Sequence, residues 1–420
     1  MNAEEVYVAT QRADNLFGGP LRLTGRVQES DWGNVGHASR ISSMVPGHAA
    51  DARLAEFWVG AHPKAPSMIE LPDGTTLPLN EALTKFPQEL LGSRAVTRFG
   101  STLPFLLKVL SVNGEYGLSI QLHPTKTKAE ELHRRSPQHY PDNNHKPEVG
   151  VAITPVSLLY GIKDRAALSS LFSALPELER FVGRDLVSSL ATSDARGDQS
   201  VPRALIAACF ALDQDQVRSC NQYLAEALPL APGLTREASL FAKLVTKYGL
   251  SDPGLLAMLM MRQVRIDPGQ ALFIAPNVPH AYLEGDLIEC MACSDNVVRA
   301  GLTPKYRDVE ILIEVIDCGS TIEGVRDLVS GDGGFKVFET PTEEFRLQIL
   351  PEDCARTVIP ESSLPSVVFC VGKGASITSR ITGRGIELGD GGAALLPPDT
   401  GAYEVVTSAA MLVHATPALP

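Results

Sequence analysis

Residues 268–282, PGQALFIAPNVPHAY, place a glycine turn, a short apolar strand, a Pro-led loop and an Ala-Tyr pair in succession, and residues 389–405, GDGGAALLPPDTGAYEV, repeat that order. Each stretch reads as strand, turn, strand. A repeat of one such unit points to two related all-β domains in a single chain. When the Ala-Tyr pairs are aligned, His280 falls opposite Gly401, so the second copy keeps the scaffold and lacks the imidazole.

Outward from the first copy, the text up to about residue 163 consists of short Gly/Pro-punctuated runs such as LRLTGRVQESDWGNVG, LPFLLKVLSV and PEVGVAITPVSLLYGI. These predict strands joined by turns. Residues 164–261 change texture: apolar residues recur three and four apart in DRAALSSLFSALPELERFV and RALIAACFALDQDQVRSCNQYLAEAL, which predicts a helical block. Strand grammar returns at 262, where Asp267-Pro268-Gly269 opens a turn and Gly285-Asp286 reads as the close of a hairpin. The expected division is a site-bearing β domain of residues 1–163 and 262–330, a helical domain of 164–261, and a C-terminal β domain of 331–420 without metal ligands.

The chain has 420 residues, 44% hydrophobic, and a formal net charge of -12. That length exceeds the usual single core, and that charge argues against a nucleic-acid or acidic-membrane binder, because neutralising phosphates requires a basic surface. The acidic start MNAEEVYVATQRADN has no apolar leader core, and no run is long and apolar enough to span a bilayer, so a cytoplasmic location is expected. Seven cysteines include only one close pair, Cys290-x-x-Cys293, with no second pair to complete a zinc knuckle, so reduced thiols are expected. A monomer without an obligate protein partner is expected.

Gln121 and His123 are two apart in GLSIQLHP, so strand geometry points both to one face. Glu148 opens a following strand after a turn-rich loop, and His280 stands where a Pro-led loop enters a strand. Two imidazoles, a carboxylate and an amide oxygen suit zinc, and also iron, manganese or cobalt. Taken alone, a Gln-x-His pair on a strand is far more often an ordinary polar face than half of a metal site. His133 and His139 lie in what reads as a solvated helix and turn, and His37, His48, His62 and His414 stand alone. Lys108 inside FLLKVL requires a core carboxylate or an anionic ligand as partner. Arg299, Lys305 and Arg307 cluster after His280, and no glycine-rich phosphate cradle occurs, so any phosphate would be held by Arg and Lys.

Five segments in order, SDWGNVG, AEFWVGAHPKAPS, GLSIQLHP, HKPE and PHAYLEGDLIECMACSDNVVRAGLTPKYRDV, resemble the type I phosphomannose isomerases, over about residues 20 to 320. The resemblance implies a mainly β fold, with two cupin-type jelly-roll barrels and an inserted helical domain. It implies one zinc ion per chain held by Gln121, His123, Glu148 and His280, an active-site Arg299, and Lys305 near a substrate phosphate. Lys108, Ser119, Lys146 and Glu289 fall in motifs lining the family's cavity. The implied reaction interconverts D-mannose 6-phosphate and D-fructose 6-phosphate, supplying or draining the mannose and GDP-mannose pool. In that chemistry Glu289 or Lys146 moves the proton, Arg299 stabilises the enediolate or phosphate, and His145 is a candidate acid for ring opening. Four protein ligands usually mark a closed structural zinc, so catalysis requires a fifth position. Two other readings use the same residues: a non-catalytic cupin that binds or senses a sugar phosphate, and a metal-dependent oxygenase, which the extra glutamine disfavours.

Overall fold

The computed structural model describes residues 17–419, apart from 116, 192–197 and 321–324. The acidic start, on which the expected absence of a leader rests, lies outside these. Among the described residues the fold is mainly β, with two antiparallel sheets and a helical block between strands Val156–Ile162 and Met261–Ile266. No helix among them is long and apolar enough to cross a membrane.

Strand Phe105–Val112 shows how the sequence sets the layers. It is buried along its whole length, and its alternate residues serve different cores. Phe105, Leu107 and Val109 join a cluster that also holds Phe369, Val371 and Val413 of the C-terminal strands. Leu106, Lys108 and Leu110 face the other way. Strand Ser366–Ser379 is divided in the same manner, Val367 and Phe369 toward the shared cluster and Val368 and Cys370 toward a separate one. The two sheets thus pack face to face, and Phe57 stacks on Phe369 across the junction with ring centroids 6.0 Å apart. A run apolar on both faces is what such a doubly covered strand requires.

Two expectations are corrected. Strands Leu21–Thr24, Met68–Glu70 and Thr76–Pro78 belong to the sheet of the C-terminal strands, with Leu21 opposite Leu395 and Leu23 opposite Ile69, and Val329–Ser330 pairs there too. The division at 163 and 331 therefore does not follow the sheets, because period-two alternation marks a strand without naming its neighbour. Gly285-Asp286 closes no hairpin: strand His280–Ala292 runs through it. Gly285 has φ 115, and a Cβ there would lie 2.6 Å from the Pro155 carbonyl oxygen. The strand bends at this point, its first part pairing with Val156–Ile162 and its second with Phe105–Val112 and Glu148–Ala152.

The helices start where side chains can satisfy the free amides: Asp164 caps Arg165–Ala174, and Asp213 forms a capping box with Gln216 at Gln214–Ala227. Their apolar faces pack with Ile120, Leu122, Ala281, Val298 and Ala300. The helical block therefore backs the strands that carry Gln121, His280 and Arg299. All seven cysteines are free thiols, five of them buried.

Candidate metal centre and active site

Cross-strand register assembles the site in two rows. His280 lies opposite Gln121, and Gln121 opposite Arg299. Beside them, Trp58 lies opposite Lys108, Lys108 opposite Glu289, and Glu289 opposite Gly150. Paired residues share a face, and Gln121, Arg299, Trp58, Lys108, Glu289 and Glu148 line one cavity of about 440 Å³, with His280 buried behind Gln121 and Glu148.

His123, Glu148 and His280 place their ligand atoms within 4.8 Å of one another, all three fully or almost fully buried. Each imidazole spends Nδ1 on a backbone carbonyl: His123 on Asn296 O at 2.8 Å, His280 on Val278 O at 3.0 Å. Nδ1 then carries the proton, and both Nε2 lone pairs face the carboxylate. His123 Nε2 is 3.2 Å from Glu148 Oε1, and His280 Nε2 is 3.7 Å from Oε2. His123 Nε2 and Glu148 Oε2 have no hydrogen-bond partner although buried, a costly arrangement for an empty polar cluster and a fitting one for a cation.

The protonation states agree. Burial, reinforced by the neighbouring His123, pushes His280 down to about 4. Burial also lowers His123, with Lys146 adding to the effect. For Glu148 burial acts upward, but Lys146 and His123 outweigh it and hold the carboxyl well below its usual value. Neutral imidazoles with free Nε2 atoms and an ionised carboxylate are the forms that metal ligation needs. The Gln121 amide nitrogen lies 3.4 Å from His280 Nε2 and its oxygen accepts from the Ser119 hydroxyl at 3.3 Å, so oxygen ligation requires a half-turn of the amide.

Next to this cluster, Lys108 answers the demand for a partner with two carboxylates, Glu56 at 3.2 Å and Glu289 at 3.3 Å, and its ammonium lies 4.9 Å from the centre of the Trp58 ring. Burial raises Glu289 to about 7, the nearby Glu148 charge acting in the same direction and Lys108 against it. Lys146 reaches Glu148 Oε1 at 2.8 Å. Ser119, Arg299 and Lys305 line the same cavity.

One expected member does not. His145 is not among the lining residues; its Nε2 lies 2.6 Å from Glu344 Oε1 in the C-terminal part of the chain. Conversely, His139, expected to be only solvated connector, lines the cavity and stacks on Tyr306 at 3.7 Å. Tyr282, Asp295, Glu56, Lys64 and, from the helical block, Lys247 and Tyr248 also line it. Tyr282 carries a buried hydroxyl without a partner, seated where a Cβ on Gly150 would lie 2.7 Å away.

A β protein with a buried His-Glu-His cluster beside titratable and cationic groups in one cavity is the kind of protein this fold and site define: one able to hold a metal ion where a small anionic molecule can enter. The phosphomannose isomerase type I catalytic domain matches residues 21–165. Mannose-6-phosphate isomerase from Ogataea parapolymorpha is 34% identical over 348 residues, covering 77% of this chain and 80% of that protein. The human enzyme of the same name is 36% identical over 311 residues, covering 70% and 72%. Among solved structures, an arginine-to-alanine mutant of phosphomannose isomerase from Salmonella typhimurium has a TM-score of 0.83 at 26% identity, covering 95% of this chain and all of that one. A mannose 6-phosphate isomerase bound with zinc and yttrium has a TM-score of 0.82 at 26% identity with the same coverage. The chain belongs to the type I phosphomannose isomerase family.

Proposed function

We propose that the protein interconverts D-mannose 6-phosphate and D-fructose 6-phosphate, with one zinc ion per chain held by His123, Glu148, His280 and the turned Gln121 amide. The observation that carries this is the buried His123, Glu148 and His280 cluster, with unpartnered His123 Nε2 and Glu148 Oε2 atoms, beside Glu289. When bound, zinc supplies Lewis acidity toward the sugar oxygens. The chain's own groups account for the rest. Glu289, buried and raised to about 7, is matched to take and return a carbon-bound proton near neutral pH. Lys108, between Glu56 and Glu289, keeps that carboxylate in place. Lys146 shares Glu148 and remains a second candidate for proton transfer. Arg299, in the row with Gln121 and His280, is placed to stabilise the enediolate, and Lys305 to hold the phosphate.

The same proposal includes two cupin-type barrels, the C-terminal one without metal, and a monomer working in the cytoplasm with no obligate partner. A coupled assay for fructose 6-phosphate tests the reaction: turnover should vanish on chelation and return with added zinc. Full turnover after complete metal removal would sink the mechanism.

A further inference from the structure

Every cavity-lining residue lies at or before Lys305, so the C-terminal strands supply none of the wall. The turn just before strand Arg346–Pro351 does reach the loop that carries Lys146. Glu344 Oε1 accepts from His145 Nε2 at 2.6 Å, and Oε2 accepts from the Thr342 hydroxyl. Burial alone would raise this carboxyl, yet the hydrogen bonds from His145 and Thr342 hold it at about 2.

Glu344 is fixed from its own side. Phe345 beside it is fully buried in the core shared by the sheets, Thr340 Oγ1 donates to the Phe345 carbonyl at 2.8 Å, and the Ala418 amide donates to the Glu343 carbonyl at 2.9 Å. The loop it touches is tied down elsewhere on one flank. Asp142 accepts from Ser294 Oγ, the Asp295 amide and Asn296 Nδ2 at 2.7 to 3.0 Å, and Asn144 Nδ2 donates to the Cys293 carbonyl at 3.3 Å. On the other flank His145 meets Glu344 and the Pro147 carbonyl accepts from the Ala292 amide at 3.1 Å, and between them stands Lys146, 2.8 Å from Glu148.

We propose that Glu344 is a positioning residue contributed by the C-terminal β region: its carboxylate holds His145, and thereby keeps the 142–148 loop where Lys146 meets Glu148 and the cavity. This rests on the isomerase reading above. Small displacements of a reacting group cost rate far more than binding. Glu344→Ala should lower kcat about tenfold with KM changed less than about twofold, and Glu344→Gln, which keeps an oxygen acceptor, should recover most of the loss. In a cycle with His145→Asn, the double variant should be no slower than His145→Asn alone. The neighbouring Glu343→Ala, which removes only an exposed ion pair with Arg98, should leave kcat unchanged. If the alanine variant does not fold, Glu344→Leu, which keeps the bulk and removes both acceptors, carries the same cycle, again with no loss beyond His145→Asn. Unchanged kcat in Glu344→Ala, additive losses in the cycle, or an equal loss in Glu343→Ala would overturn the proposal while the isomerase reading stands. An inactive native protein would remove both.

Discussion

The loops at Pro276-Asn277 and Pro398-Asp399 begin alike and end differently. Each follows a positive-φ glycine, Gly269 or Gly391, and a short strand, and each turns on a left-handed Asx residue, Asn277 at φ 68 and Asp399 at φ 56. Asn and Asp tolerate that conformation where most residues do not. Each then feeds a long strand, His280–Ala292 or Tyr403–Thr416. Counted from the Asx residue to the Ala-Tyr pair, the first loop is one residue longer, and it delivers His280 opposite Gln121, against Glu148. The second delivers Gly401, at φ 80, where a Cβ would lie 2.3 Å from Ile381 Cδ1. Backbone likeness therefore carries no chemistry by itself. At the position where the first loop carries His280, the second has a glycine with the Ile381 side chain against it.

The sharpest way to break this contrast is His280→Ala, which should release the metal and lower kcat/KM by at least about a thousandfold, since several kcal/mol of transition-state stabilisation go with it. Metal analysis of the purified variant checks this, and full metal occupancy would contradict it. Arg299→Ala should keep the metal and lose about a hundredfold or more in kcat; equal metal loss in both variants would show that Arg299 acts on the metal cluster instead.

Glu289 supplies the pH test. In the proposed role its active form is the carboxylate, and burial holds its pKa up at about 7, so kcat/KM should rise as pH increases through about 7. Because Lys108 opposes that shift, Lys108→Met should move the limb to higher pH, and Glu289→Gln should abolish it with a loss of about a hundredfold or more. A limb unmoved by either change would take the role from Glu289.

On the other side of the comparison, Phe369→Ala should cost about 3 to 5 kcal/mol in a denaturant titration, because it empties a fully buried position in the core between the sheets. The folded fraction should retain its metal. The smallest effect belongs to Gly401→His: strain at positive φ should cost about 1 kcal/mol, and metal content should stay at one per chain. A second bound metal in that variant would show that the missing imidazole alone separates the two copies.

Much of the site was legible because local geometry suffices for it. Period two places Gln121 and His123 together, and the Pro-led start of a strand places His280. The same rule applied two residues onward would have found Tyr282, on the same face of the same strand. Glu56, Asp295 and Lys247 enter through register, loops and helix docking, which no local pattern encodes. The contact of His145 is hidden for a related reason: its neighbours in sequence are site residues, but its partner, Glu344, lies in the turn before strand Arg346–Pro351. The sheet partnerships of Leu21–Thr24 and Met68–Glu70 were hidden in the same way.

The central claim is that one metal, bound by His123, Glu148 and His280, makes this cavity active and that the C-terminal copy binds none. Titrating zinc into the metal-free protein while following mannose 6-phosphate isomerisation tests it directly. Activity should rise linearly and reach its plateau at one equivalent per chain. Activity present before any zinc is added, or a plateau only at two equivalents, would contradict it.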